Sequence, residues 1–539
     1  MFDEKTLDES TDVPIVPVQS GNGSYANGTI DKIEDDPANQ VFFGSSITDS
    51  YRLKSELVGQ CMEQIGMGRF QWGLFTVCGI AGMVDNFWTQ GIGTIQPVIV
   101  REFSDVSRVT FSSIAFYAGL IVGASFWGIS SDFMGRKPAF NMTVLFGGVF
   151  ALAVGSINHF VGFCVIWSII GTAAGGNVPV DNMLFLEYLP GSHQYLLTAL
   201  AVWWLFGQLV VSLVGWGFIA SYTCSAEATP ATCARGENMG WRYIMFTLGA
   251  ITVAFVFLRM LLFKIPESPR YLLSKNRDAE AVEAVNYVAR FNGKPEPLTL
   301  AMLQQIDHSL GIVSQTTDGR KGLTRKQILR ENLADFKTAN IRSLFATRKL
   351  GQHTTIIWLI WLTIGIAYPL YFNFLPTYLS QKFVDNSYSS LDTTYRNYCI
   401  TSAVGMAAPP LAAMLIQTRL GRRYIMGISS VATGALLFAY TAARSPAASL
   451  AFTCVSGFVG NFEYGILFAY TPESFPAPHR GLACGLASTL QRIGGLCAAL
   501  IGTYTNFTTV PIYVAAAMWI GVGLASFVLP FETHHHAAI

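Results

Sequence analysis

The feature that most constrains this chain is a succession of apolar stretches, each about 20 residues long, the length an α-helix needs to cross a bilayer. They fall near 70–100, 109–129, 139–157, 161–186, 196–220 and 243–263. After a polar interval they resume near 354–379, 398–416, 424–443, 448–469, 482–504 and 510–529. In hydrocarbon every backbone N–H and C=O must find its partner inside the protein, so runs this long and apolar read as helices packed on one another. Composition agrees: 51% of residues are hydrophobic and 13% charged, about half the charge of an ordinary soluble domain. That excludes a cytosolic enzyme and a disordered scaffold. A formal charge of +1 leaves no basic field for nucleic acid. The expected fold is an all-α polytopic membrane protein with twelve transmembrane helices in two pseudo-symmetric six-helix bundles.

Residues 1–67 are acidic and turn-rich, without a helical period or a cleavable signal pattern, and are expected to form a disordered cytosolic tail. The bundles are expected at 68–263 and 351–533. Between them, 264–350 reads as a cytosolic connector whose apolar spacing, broken by Gly and Pro, predicts short amphipathic helices. Residues 534–539 form a short tail in which His534–His536 predict no metal site. With both termini and the connector in the cytosol, 26 of the 35 Lys and Arg lie on that side and 7 on the other, as the positive-inside bias requires. The two halves also repeat. Gly135 of GISSDFMGRK and Gly421 of LGRR are 286 positions apart, and so are Glu187 of LEYLP and Glu473 of PESFP. A duplicated six-helix unit is the architecture of carriers whose halves rock about a central site.

These motifs are familiar. GISSDFMGRK after the second span, PESPRYL (266–272) after the sixth and PESFPAPHRG (472–481) after the tenth resemble the major facilitator superfamily, and PFET (530–533) resembles its sugar-porter side. GRFQW before the first span, GGNVPVD in the fourth and RIGG in the eleventh are similar to the synaptic-vesicle-two-related branch, which includes carriers of nicotinate-like acids. The resemblance covers about 68–533 and implies solute transport by alternating access. There are two departures. Trp167 stands where many relatives carry an Arg early in the fourth span, so proton coupling by that residue is not inherited. Thr418 stands where Asp132 of the first half would align.

Ionisable side chains inside a span are costly and usually face a water-filled pathway. Asp85, with Asn86 beside it, lies midway along the first span. It reads either as a proton or solute site or as a structural partner of Arg492, the one clear mid-span cation. Asn177 and Asp181 share a helix face at i, i+4, loosened by Gly175, Gly176 and Pro179. Asn461 and Tyr464 share a face of the tenth span. Glu463 points about 160–200° away from Asn461, leaving it a cavity group or an interhelical partner. Tyr368, Tyr371 and Asn373 beside Pro369 offer an amphipathic wall for a small ring. At the cytosolic mouth, Asp132, Arg136 and Lys137, with Gly128 and Gly135 permitting close approach, can pair across the bundles. Glu187, Glu473 and Arg480 belong to the same gate layer.

Most cysteines sit in apolar runs as small hydrophobes. Cys224 and Cys233 share a short polar loop and are the candidate disulfide if it faces outside. Asn506 is the sequon near an outside loop. No GxxxxGK[ST], HExxH or nucleophile elbow occurs, so no ATP-driven pump, enzyme or cofactor is indicated. The expected function is proton-coupled symport of a small organic acid or sugar-like solute by a monomer in the plasma membrane. Antiport export and a non-transporting sensor are the alternatives.

Overall fold

In a computed structural model the chain is almost entirely helical. The structure describes residues 49–104, 106, 108–134, 136–176, 178–225, 228–262, 265–311, 341, 343–373, 391–475, 477–504 and 510–532. The first described helix, α1 (Asp49–Ile65), corrects the expectation of a disordered tail running to residue 67. Its apolar positions Tyr51, Val58, Cys61, Met62 and Ile65 are buried against other helices, which a tail read by itself does not reveal.

The first half then runs α2 (Arg69–Ile99), α3 (Phe111–Met134), α4 (Arg136–Val154), the pair α5 (Phe160–Ala174) and α6 (Val178–Tyr188), α7 (Leu196–Ile219) and α8 (Gly240–Leu262). The connector carries α9 (Pro269–Ser274), α10 (Asp278–Phe291) and α11 (Leu300–Ser309). The second half comprises α12 (Arg348–Tyr368), the pair α13 (Leu391–Gly405) and α14 (Ala408–Leu415), α15 (Gly421–Thr441), α16 (Pro446–Glu473), α17 (Ala477–Tyr504) and α18 (Val510–Phe527). Two expected spans are interrupted. The fourth breaks between α5 and α6 after Gly175 and Gly176. The eighth starts earlier than residue 398 and breaks before Pro409 and Pro410, where α14 restarts. Among the described residues, eight helices are long and apolar enough to cross a membrane. Val122, Phe126, Val161, Phe257, Leu524 and Val528 are all more than half exposed, as lipid-facing positions should be.

The halves pack alike. In the first, α2 lies on α7 and α4 on α8; in the second, α12 lies on α17 and α15 on α18, the matching pairs of the repeat. Each half has its own apolar core, and α7 against α13 and α3 against α17 join them. Two glycine pairs four residues apart draw α3 and α5 together. A Cβ on Gly119 or Gly123 would collide with the carbonyls of Ser168 or Thr172, and one on Gly171 with that of Phe116. This small-residue contact replaces the hydrophobic driving force that lipid does not supply.

A third apolar core lies at one end of the molecule and unites α1, the start of α2, the end of α6 and the connector helices. The Lys54 ammonium, buried there, donates to Asp278 Oδ2 at 2.6 Å and Asp307 Oδ2 at 2.7 Å, and Ser50 Oγ donates to Asp307 Oδ1 at 2.7 Å. Here Phe70 N, at the start of α2, donates to Asn292 Oδ1. This end is the connector face. The other end of α2 approaches the loop closed by the Cys224–Cys233 disulfide, where Arg101 Nη1 donates to Cys224 O. That end is the disulfide face.

Candidate functional site

The site is assembled from α2, whose 31 residues carry a polar series through an otherwise apolar helix. Asp85 and Thr89 lie on its cavity side. With Tyr117, Leu120, Ala174 and Trp204 of the first half, and Gly365, Tyr368, Pro369, Tyr464, Gln491 and Arg492 of the second, they line a small cavity of about 60 Å³. Asp85 and Arg492, both nearly inaccessible, act on each other electrostatically within it. Gln491 Nε2 donates to the Tyr464 hydroxyl at 2.5 Å, orienting the ring beside Arg492.

A second cavity adjoins the first through Trp204, Tyr368 and Tyr464. It extends toward the connector face between Cys78, Gly79, Gly82, Asn182, Asn461 and Phe468. Its aromatic wall is continuous: Tyr368 and Tyr464 lie 4.9 Å apart by ring centroids, Tyr464 and Phe468 5.3 Å, Phe468 and Trp361 4.9 Å. The disulfide face is closed by bonds between the halves. The Tyr398 hydroxyl donates to Gln90 Oε1 at 2.7 Å, the Tyr395 hydroxyl to Thr94 O at 2.6 Å, Trp216 Nε1 to Asp392 Oδ1 at 2.7 Å and Arg108 Nη1 to Thr503 O at 2.9 Å.

Of the candidates read from sequence, Asp85, Tyr368, Asn461, Tyr464 and Arg492 line these two cavities. Three others are placed differently. Asn86 is fully buried and donates from Nδ2 to Trp204 O at 2.5 Å, tying α2 to α7. Tyr371 turns into the second-half core, hydrogen-bonded to Thr453. Glu463 is fully buried away from both cavities, and neither carboxyl oxygen has a hydrogen-bond partner among the described residues. Asn177, Gly135, Asn506 and His534–His536 lie outside the described residues, as do the side chains of Asp181, Asn373, Gly128, Asp132, Arg136 and Lys137.

In the gate layer, Arg422 Nη2 donates to Glu473 Oε1 at 2.9 Å, a buried ion pair inside the second half. Arg480 Nε donates to Phe475 O at 3.2 Å. Arg480 also faces Arg270 of the PESPR motif, with Glu187 and Tyr51 acting on the same guanidinium. Burial, and then the repulsion of Arg480, hold the Arg270 guanidinium below its usual range. This cluster brings α1, the first half and the second half together. Sequence reading missed Tyr51, Arg270, Gln90 and Thr94. The last two had a visible signal, since Asn86, Gln90 and Thr94 recur every four residues in an apolar span.

Comparison with known proteins agrees with this geometry. The profile of the Major Facilitator Superfamily matches residues 76–496. The chain is 59% identical over 517 residues to the major facilitator-type transporter hxnZ of Emericella nidulans, covering 95% of this chain and 93% of that protein. It is 39% identical to the MFS siderochrome iron transporter 1 of Ceriporiopsis subvermispora, covering 93% and 94%. Its fold resembles that of the proton:xylose symporter XylE, with TM-score 0.63 at 18% identity over 87% of this chain and 98% of that one. Two matching helix bundles, a polar cavity where they meet and a family profile across both halves make this chain a member of the Major Facilitator Superfamily, a membrane transporter and not an enzyme.

Proposed function

We propose that the protein carries a small organic acid together with a proton by alternating access, as a monomer in the plasma membrane with both termini and the connector cytosolic. The observation that supports the reading is that Asp85 and Arg492 line one cavity between the halves, within electrostatic reach of each other. An empty site keeps the two charges mutually neutralised, which a low-dielectric interior demands. A solute carboxylate competes for the Arg492 guanidinium, for which carboxylate is the matched partner. Asp85 then loses the charge that offset it, and taking up a proton relieves the cost of that loss in a low-dielectric interior. Solute and proton therefore enter together. A neutral sugar does not displace Asp85 from Arg492, so this chemistry favours an acid over a sugar-like solute. The aromatic wall of Tyr368, Tyr464 and Phe468 suits a planar or short hydrocarbon body.

The test is uptake into proteoliposomes of pooled labelled solutes: nicotinate and other aromatic acids, hydroxy acids, sugars and a ferric siderochrome, each with and without an inward proton gradient. Gradient-stimulated uptake confined to acids supports the proposal. Uptake of sugars or the siderochrome alone overturns the acid assignment, and ligand binding without flux of any solute overturns transport coupling.

A further inference from the structure

We propose that Gln90 is a positioning residue that couples the cavity wall to closure of the disulfide face. Gln90 lies one residue beyond cavity-lining Thr89 and is about 1% exposed. Its carbonyl oxygen accepts the Tyr398 hydroxyl of α13. Its side chain also lies within reach of the hydroxyl of Tyr368, which lines both cavities. A primary amide has a carbonyl acceptor on one side and an NH2 donor on the other, so one side chain serves the gate and the cavity wall at once. One turn further along α2, Thr94 Oγ1 donates to Gln90 O at 2.9 Å while Thr94 O accepts the Tyr395 hydroxyl. Tyr395 and Tyr398 are themselves one turn apart on α13, so two helices are clasped at two successive turns.

Opening the disulfide face separates α13 from α2 and exchanges the Tyr398–Gln90 bond for bonds to water. Such an exchange costs about 1 kcal/mol, the net worth of one hydrogen bond. Closure is therefore favoured while Tyr368 holds the amide in register, and a solute that takes the Tyr368 hydroxyl loosens it. This inference rests on the alternating movement of the two halves proposed above, though its test uses neither solute nor proton.

A thiol is placed in the cavity by Thr89→Cys, and sealed vesicles expose the disulfide face to a charged, impermeant thiol reagent. Modification is read at position 89 by mass spectrometry. In this background Gln90→Leu and Tyr398→Phe should each raise the rate about fivefold, the population shift expected for one lost hydrogen bond. The double variant should be no faster than either single one, and Tyr368→Phe should raise the rate as well. Cys61, labelled in detergent-solubilised protein where the reagent reaches both faces, serves as the control for folding: it is buried in the core around α1 and its thiol is pushed up to about 12 by that burial. Unchanged rates at position 89 with Cys61 unmodified overturn the proposal, as does an additive double variant. If Gln90→Leu also exposes Cys61, Tyr398→Phe decides, because it removes one oxygen and no packing. Gradient-driven uptake by a protein whose labelling stays flat would sink the gate alone. Raised labelling without solute-coupled proton movement would sink the symport reading alone.

Discussion

At the scale of single residues, the molecule concentrates its unusual chemistry where charge is buried. Replacing Arg492 by Gln removes the group that a solute carboxylate needs. Solute affinity should then fall tenfold or more, by the roughly 1.5–3 kcal/mol of a hydrogen bond to a charged group. Arg492→Lys should restore only part of it, because a lysine lacks the planar fork. Equilibrium binding of the labelled acid measures both. The Arg422–Glu473 pair has a different role. Its side chains are 6% and 2% exposed and belong to one half, so Glu473→Gln leaves a buried cation uncompensated. That should destabilise the protein by about 3 kcal/mol, whereas replacing both partners by apolar residues of similar volume should cost much less. Thermal unfolding in detergent distinguishes the two outcomes. Legibility divides along the same line. Asp85 and Arg492 stood out because charge is rare in the spans. Glu463 stood out equally and faces no described cavity, because a charge in a span shows burial and not which side of the helix the cavity lies on.

At the scale of elements, the spans were readable because twenty apolar residues in succession admit few alternatives. Their interruptions were not. The break before Pro409 depends on which backbone groups neighbouring helices can satisfy, which one strand of sequence does not record. Helix α1 was missed for a related reason. Its 17 residues are on average polar, and its buried side finds a partner only in the apolar faces of the connector helices α9, α10 and α11 and the helix ends beside them. Lys54 is the bolt of that contact. Lys54→Met strands Asp278 and Asp307 facing each other, and α1 should detach, with amide exchange over 49–65 accelerating at least tenfold while α15–α18 stay protected. Between α3 and α5, a larger side chain at Gly171 drives into the Phe116 carbonyl. Gly171→Val should force the helices apart and lower the unfolding temperature, while Gly217→Ala, where an added Cβ meets nothing within 4 Å, should leave it unchanged.

At the scale of the whole molecule, the repeat of 286 positions foretold the architecture, and the matching helix contacts in each half are its physical expression. Hydrogen bonds join the halves at the disulfide face, and the cavities extend toward the connector face from the Asp85–Arg492 pair. On the alternating-access proposal, this is the state that exchanges solute on the connector side. Proton drive is the central claim, and one comparison addresses it directly: acid uptake under an inward proton gradient, against solute counterflow with no gradient, in wild type and Asp85→Asn. The account predicts that wild type does both, and that the variant retains counterflow through Arg492 but gains nothing from the gradient. A variant accelerated by the gradient as strongly as wild type would contradict it and remove Asp85 from proton coupling.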